Sequence, residues 1–140
     1  MKLRIKDNAM RIRLTRSEVG QLAKTGMVRA STPFSNATFH YSVIATVQDN
    51  PLEARIEPYR MEMLVRQDLV KNWPDNNEVG FKASTALPDG TELKLVLEKD
   101  FVCLDDSEED QSDNYANPNA VCIPSGVTNQ SDTIINKQGK

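Results

Sequence analysis

A chain of 140 residues is long enough to bury a real core in one domain, and its two cysteines, Cys103 and Cys122, are too few for a disulfide scaffold. A net charge of -3 excludes a bulk polycation, but the charge is unevenly spread. Residues 1–30 carry eight Lys/Arg against Asp7 and Glu18, a net of +6, whereas residues 31–98 carry six against ten and residues 99–140 three against eight.

In chain order, Leu3 and Ile5 alternate with Lys2, Arg4 and Lys6, which is the period of a half-buried strand. Asp7-Asn8 supplies a turn. Met10, Ile12 and Leu14 then alternate with Arg11 and Arg13 in a second strand. A helix is expected next. Thr15 with Glu18 three residues on makes a capping box, Leu14 and Val19 sit as a hydrophobic staple, and Gly26 is the stop. Two strands follow, around 27–33 and 38–48, separated by Ser35-Asn36.

The pattern then begins again. At a shift of 51 residues Leu3 falls on Ala54, Ile5 on Ile56, Met10 on Met61, Ile12 on Met63 and Leu14 on Val65. Val19 falls on Val70, Leu22 on Trp73 and Val28 on Val79. A second helix over about 67–73 should stop at Pro74, and strands over 79–85 and 91–98 should flank the Pro88-Asp89-Gly90 turn. The expected fold is mostly β, of the α+β class: duplicated ββαββ units, about 1–50 and 51–104, forming one barrel-like domain with two short helices. Residues 105–140 read as an acidic, polar tail, partly disordered or draped over the domain, because they cannot bury enough apolar surface to offset their ordering entropy.

Two resemblances add to this reading. The span 2–47, and more clearly 54–98, resembles the swapped-hairpin barrels of AbrB-type transition regulators and antitoxins. The likeness lies in strand, turn, strand and capped short helix, followed by Asn77-Glu78-Val79 and the Asp89-Gly90 hairpin. That resemblance implies that a tandem pair could build in one chain the barrel that two chains share there, and it implies DNA binding. The opening Met-Lys-Leu-Arg-Ile-Lys, the stretch from Glu98 to Leu104, and Glu109-Asp110, Ser112-Asp113 and Tyr115-Ala116-Asn117-Pro118 resemble a family of uncharacterised bacterial proteins. It brings no activity, and implies that the cysteine and acidic stretch belong to the ordered protein.

The first hairpin carries the main functional signal. With its apolar residues inward, Lys2, Arg4, Lys6, Arg11 and Arg13 share the other face. Like charges facing each other across a strand pair cost stability, so such a face invites an anion. Three readings stand side by side: a solvated face, pairing with the chain's own acidic run from Asp105 to Asp113, or an external anion, nucleic acid among them. The overall negative charge and the lack of aromatic residues interleaved with the basic ones weigh against nucleic acid. A metal site would use Cys103, Glu109, Asp110 and Asp113, although no Cys-x-x-Cys is present and the acidic run lacks the glycine of a calcium loop.

Catalysis is not expected. His40, the sole imidazole, sits in an alternating strand, and none of the six glycines forms a phosphate-cradling loop. No cofactor and no membrane partner are expected. The sequence has no unbroken apolar run of the roughly 7–15 residues of a signal peptide, nor the ~18 of a membrane span, so reduced thiols and a cytoplasmic address are expected. The reading is therefore a small non-enzymatic binding or accessory protein that uses the cationic hairpin face.

Overall fold

The structure, a computed structural model, describes residues 1–102 and 111–116. The chain divides into two bodies, Met1–Lys99 and Asp100–Lys140. The first body contains both ββαββ repeats.

In the first repeat, β1 (Lys2–Lys6) turns at Asp7-Asn8 into β2 (Ala9–Leu14) and helix α1 (Arg16–Thr25), followed by β3 (Met27–Pro33) and β4 (Thr38–Thr46). The helix begins where its cap directs. The Thr15 hydroxyl accepts from the Glu18 N–H, and the Glu18 carboxylate accepts from the Thr15 N–H at 2.9 Å, so two orphan donors are satisfied reciprocally. It ends at Gly26, whose φ of 83° a residue with a side chain resists and whose N–H donates to the Leu22 carbonyl at 2.9 Å.

The second repeat runs β5 (Leu52–Glu57), β6 (Arg60–Arg66), α2 (Gln67–Val70), a single 3₁₀ turn (Trp73–Asp75), β7 (Gly80–Ala86) and β8 (Glu92–Lys99). Its helix differs from expectation. It lasts one turn, and Pro74 lies inside the 3₁₀ turn instead of ending a helix. Pro74 is tolerated there because the first residues of a helical turn need no N–H partner.

Each repeat gives one hairpin to each sheet. The first sheet has the order β1-β2-β8-β7 and the second β3-β4-β6-β5, so the first hairpin of one repeat lies against the second hairpin of the other. The joins are parallel, β2 with β8 and β4 with β6, while each hairpin is antiparallel within itself. The register shows where the repeat stretches. Ala9 pairs with Lys94 and Arg60 with His40, so the 51-residue shift of the first hairpins becomes 54 at β4 and β8. Two residues enter at the helical link and one at the second hairpin turn. Val28 therefore corresponds to Phe81 and not to Val79, which lies outside β7.

The core takes equivalent residues from both repeats. Met10, Ile12, Leu14, Val19 and Leu22 are buried, and so are Met61, Met63, Val65, Val70 and Trp73. Each fully buried aliphatic side chain contributes about 1.5–3 kcal/mol. Helix α1 packs on β3, β4, α2 and the 3₁₀ turn, and Trp73 is held by its indole N–H donating to the Glu78 carbonyl at 2.7 Å. Ile5 and Ile56 depart from the expected burial, at 61% and 78% exposed. Both stand beside a hairpin turn, where the two-residue alternation continues after the strand has run past the core.

In the second body, Phe101 and Tyr115 form an isolated parallel bridge. The Val102 N–H donates to the Tyr115 carbonyl at 2.7 Å, the Tyr115 N–H donates to Asp100 at 2.9 Å, and the two rings lie 5.8 Å apart.

Candidate anion-binding face

β1 and β2 are paired with Lys2 opposite Arg13, Arg4 opposite Arg11 and Lys6 opposite Ala9. The five cations of the hairpin thus stand on one face, as their alternation requires. The parallel join to β8 and its pairing with β7 extend this face across four strands. Three rows result: Lys6, Ala9, Lys94, Ser84; then Arg4, Arg11, Val96, Lys82; then Lys2, Arg13, Glu98, Gly80. Seven cations share these rows with one acid, Glu98. At roughly 4.8 Å between strands and 3.4 Å per residue along them, the rows cover about 14 Å in each direction.

Lys82 and Lys94 are the residues that sequence reasoning missed. They belong to the last hairpin, 70 or more residues from β1, and join the face only because hairpins are exchanged between repeats. The 51-residue duplication combined with a swapped-hairpin arrangement was the signal that could have located them.

Among the described residues, Glu98 is the acid that pairs with the arginines of this face. Glu98 accepts from the Arg13 Nε at 2.8 Å and lies 4.0 Å from the Arg11 Nε. Arg4, Lys6, Lys82 and Lys94 make no ion pair among the described residues. Between Arg4, Lys6, Arg11 and Lys94 the surface dips into a depression of about 290 Å³ floored by Ala9, Met10 and Val96. A neighbouring depression of about 450 Å³ shares Arg11, Lys94 and Val96 and opens onto Lys82 and Ser84.

The second sheet supplies an internal comparison. Its matching rows are Glu57, Arg60, His40, Ser31; then Arg55, Glu62, Ser42, Arg29; then Glu53, Leu64, Ile44, Met27. Here three acids meet three arginines. Arg55 donates to Glu62 at 2.7 Å and Arg60 to Glu57 at 2.8 Å. Glu62 holds the Arg55 guanidinium above its ordinary value, by its hydrogen bond first and its charge second. The same grid is cationic in one sheet and balanced in the other.

A model of the DUF7009 family, described as a family of unknown function, matches residues 1–119. The chain belongs to this family. The match runs past both repeats and through the acidic stretch to Asn117-Pro118, the span on which the resemblance to an uncharacterised family was read. No curated protein and no solved structure matches the chain. The likeness to AbrB-type barrels therefore stands on element order alone.

His40 is exposed on β4 beside Arg60, on the balanced face. Of the residues considered for a metal, Cys103, Glu109 and Asp110 lie outside the described residues, as do the acids from Asp105 to Glu108. Asp113 sits in the turn between Gln111 and Asn114, whose N–H donates to the Gln111 carbonyl at 3.1 Å. Among the described residues, no three His, Cys, Asp or Glu side chains are grouped so as to hold a metal ion, and no helix is long and apolar enough to cross a membrane.

Proposed function

We propose that the protein is a non-enzymatic, cytoplasmic binding or accessory protein that holds an anionic partner on the outward face of the β1-β2-β8-β7 sheet. The observation that carries this reading is the contrast between the two faces. Seven cations against Glu98 stand on one, and acids paired with arginines stand on the matching positions of the other. Arg4 directly opposite Arg11 costs stability in the free protein, and an anion laid across the pair relieves that cost.

Immobilised heparin tests the reading with a matched pair of variants. Lys82→Glu with Lys94→Glu alters the cationic face, and Arg29→Glu with Arg60→Glu alters the balanced one by the same net charge. The first pair should elute at clearly lower salt than the parent and the second should elute near it. Equal shifts in both would mean that net charge alone governs retention, and the face would lose its role.

A nucleic-acid backbone is the second reading, favoured by Lys82 and Lys94, which widen the patch beyond one hairpin. None of the twelve residues in the three rows is aromatic, so the face offers phosphate contacts without a platform for stacked bases. If about six phosphates are neutralised, log K for duplex DNA should fall against log salt with a slope near -5. A slope near zero would dismiss this second reading and leave the first standing.

A further inference from the structure

We propose that the depression bounded by Arg4, Lys6, Arg11 and Lys94 is a site for a condensed-phosphate group, the di- or triphosphate of a nucleotide or a free polyphosphate. The inference deepens the reading above and rests on it. It names the ligand chemistry of one place on the cationic face.

The recess exists because Ala9 stands between two long cations. In its row Lys6 and Lys94 flank it on the neighbouring strands, and Ala9 has no atoms beyond Cβ to fill the gap. The matching position of the second sheet is Arg60, and the depression of about 260 Å³ on that sheet, over Arg29, His40, Ser42, Arg60 and Glu62, differs in having an acid in its wall. The next row places Arg4 and Arg11 at the rim with Val96 beside them. At about 290 Å³ the recess has room for roughly ten waters, which a di- or triphosphate would displace.

Charge density selects the ligand class. Four cationic groups surround this space, and the one acid that pairs with any of them among the described residues, Glu98, makes its closer bond to Arg13. A carboxylate brings one negative charge for three heavy atoms. Condensed phosphate brings several charges within a comparable length and is the compact anion that can answer four cations together. The two guanidiniums offer planar forks suited to paired phosphate oxygens, and the two lysines act as point charges. The floor of Ala9, Met10 and Val96 adds no polar side-chain group, so recognition rests on the rim. The adjoining depression continues past Arg11 and Lys94 to Lys82 and the Ser84 hydroxyl, giving a longer phosphate chain a second stretch of cationic wall.

Calorimetric titration of the full chain with tripolyphosphate, a nucleoside triphosphate and citrate tests the site. Tripolyphosphate or the nucleotide should bind at least tenfold tighter than citrate. Binding of the nucleotide would identify a nucleotide tail, and binding of tripolyphosphate alone would identify free polyphosphate. Ala9→Leu fills the recess without changing charge at an exposed strand position, and should weaken phosphate binding at least tenfold while leaving heparin elution unchanged. Lys94→Gln should weaken both. If neither phosphate binds better than citrate, or if Ala9→Leu has no effect, the recess is not the site, while heparin retention keeps the wider face. Failure of the parent to bind heparin would instead remove the wider reading.

Discussion

Arg11→Glu should make the protein more stable and less able to bind anions at the same time. Arg11 stands directly opposite Arg4, whereas the matching pair in the second sheet is Arg55 and Glu62, joined at 2.7 Å. The substitution removes a like-charge opposition and creates the attraction already seen in the twin sheet, each worth about 0.2–1 kcal/mol. Against this stand the lost 4.0 Å contact with Glu98 and a new repulsion from that carboxylate. Both Arg4 and Arg55 are exposed, so solvent screening trims every one of these contributions. The net gain should be a few tenths of a kcal/mol and at most about 1, or roughly 1–4 °C in Tm. Thermal melts at low salt and at 1 M salt, followed by circular dichroism, measure it. The gain should shrink at high salt, where the Debye length falls to about 3 Å. Arg11→Gln, which removes the repulsion without adding attraction, should fall between. A lower Tm for Arg11→Glu at low salt would refute the account of an uncompensated face.

Met63→Ala and Leu14→Ala remove fully buried side chains from matching strands and should each cost about 2–5 kcal/mol by chemical denaturation. Gly80→Ala should cost about 1–3 kcal/mol, because a Cβ there would stand 2.4 Å from the Leu97 carbonyl oxygen on the paired backbone. Lys99 is buried with its ammonium donating to the Asn76 carbonyl at 2.8 Å; burial lowers its pKa from 10.5, Glu78 opposes that shift and Arg16 adds to it. Between the lowered folded value and 10.5 the unfolded chain binds more protons, so this group's contribution makes stability rise with pH, and Lys99→Met should flatten that rise in denaturation midpoints measured across the interval. An unchanged slope in the variant would mean that Lys99 titrates alike in both states.

The first hairpin and α1 were legible because local signals decide them. Alternation set the strands, and Thr15, Glu18 and Gly26 bounded the helix through bonds within their own turn. The second helix was less legible. Leu22 and Trp73 occupy matching buried positions, but Trp73 arrives there through a 3₁₀ turn after α2 has ended. The register of the second hairpins was also hidden, since a two-residue addition at the link and a one-residue addition at the turn leave the alternation of each strand intact. Ile5 and Ile56 show the limit of period-two reading, which assigns a face without saying how far along the strand the core extends. Five of the seven face cations were visible in one hairpin. Lys82 and Lys94 required the parallel β2–β8 join, a contact between residues 85 apart in sequence.

The two sheets together argue that the cationic face is not imposed by the scaffold. Both use the same exchange of hairpins, the same pairings and matching apolar interiors. A fold that required arginine opposite arginine would show it twice. The second sheet instead places Glu62 opposite Arg55 and Glu57 opposite Arg60, with distances of 2.7 and 2.8 Å. The positions therefore accept acids, and acids there relieve the repulsion. In the first sheet those positions hold Arg11 and the pair Lys6 and Ala9, so the available relief is absent where it would be simplest to supply. Folding alone gives no reason for that choice. An anion that binds across Arg4, Lys6, Arg11 and Lys94 does, because every acid placed among them to steady the sheet would compete with the ligand for the same four side chains.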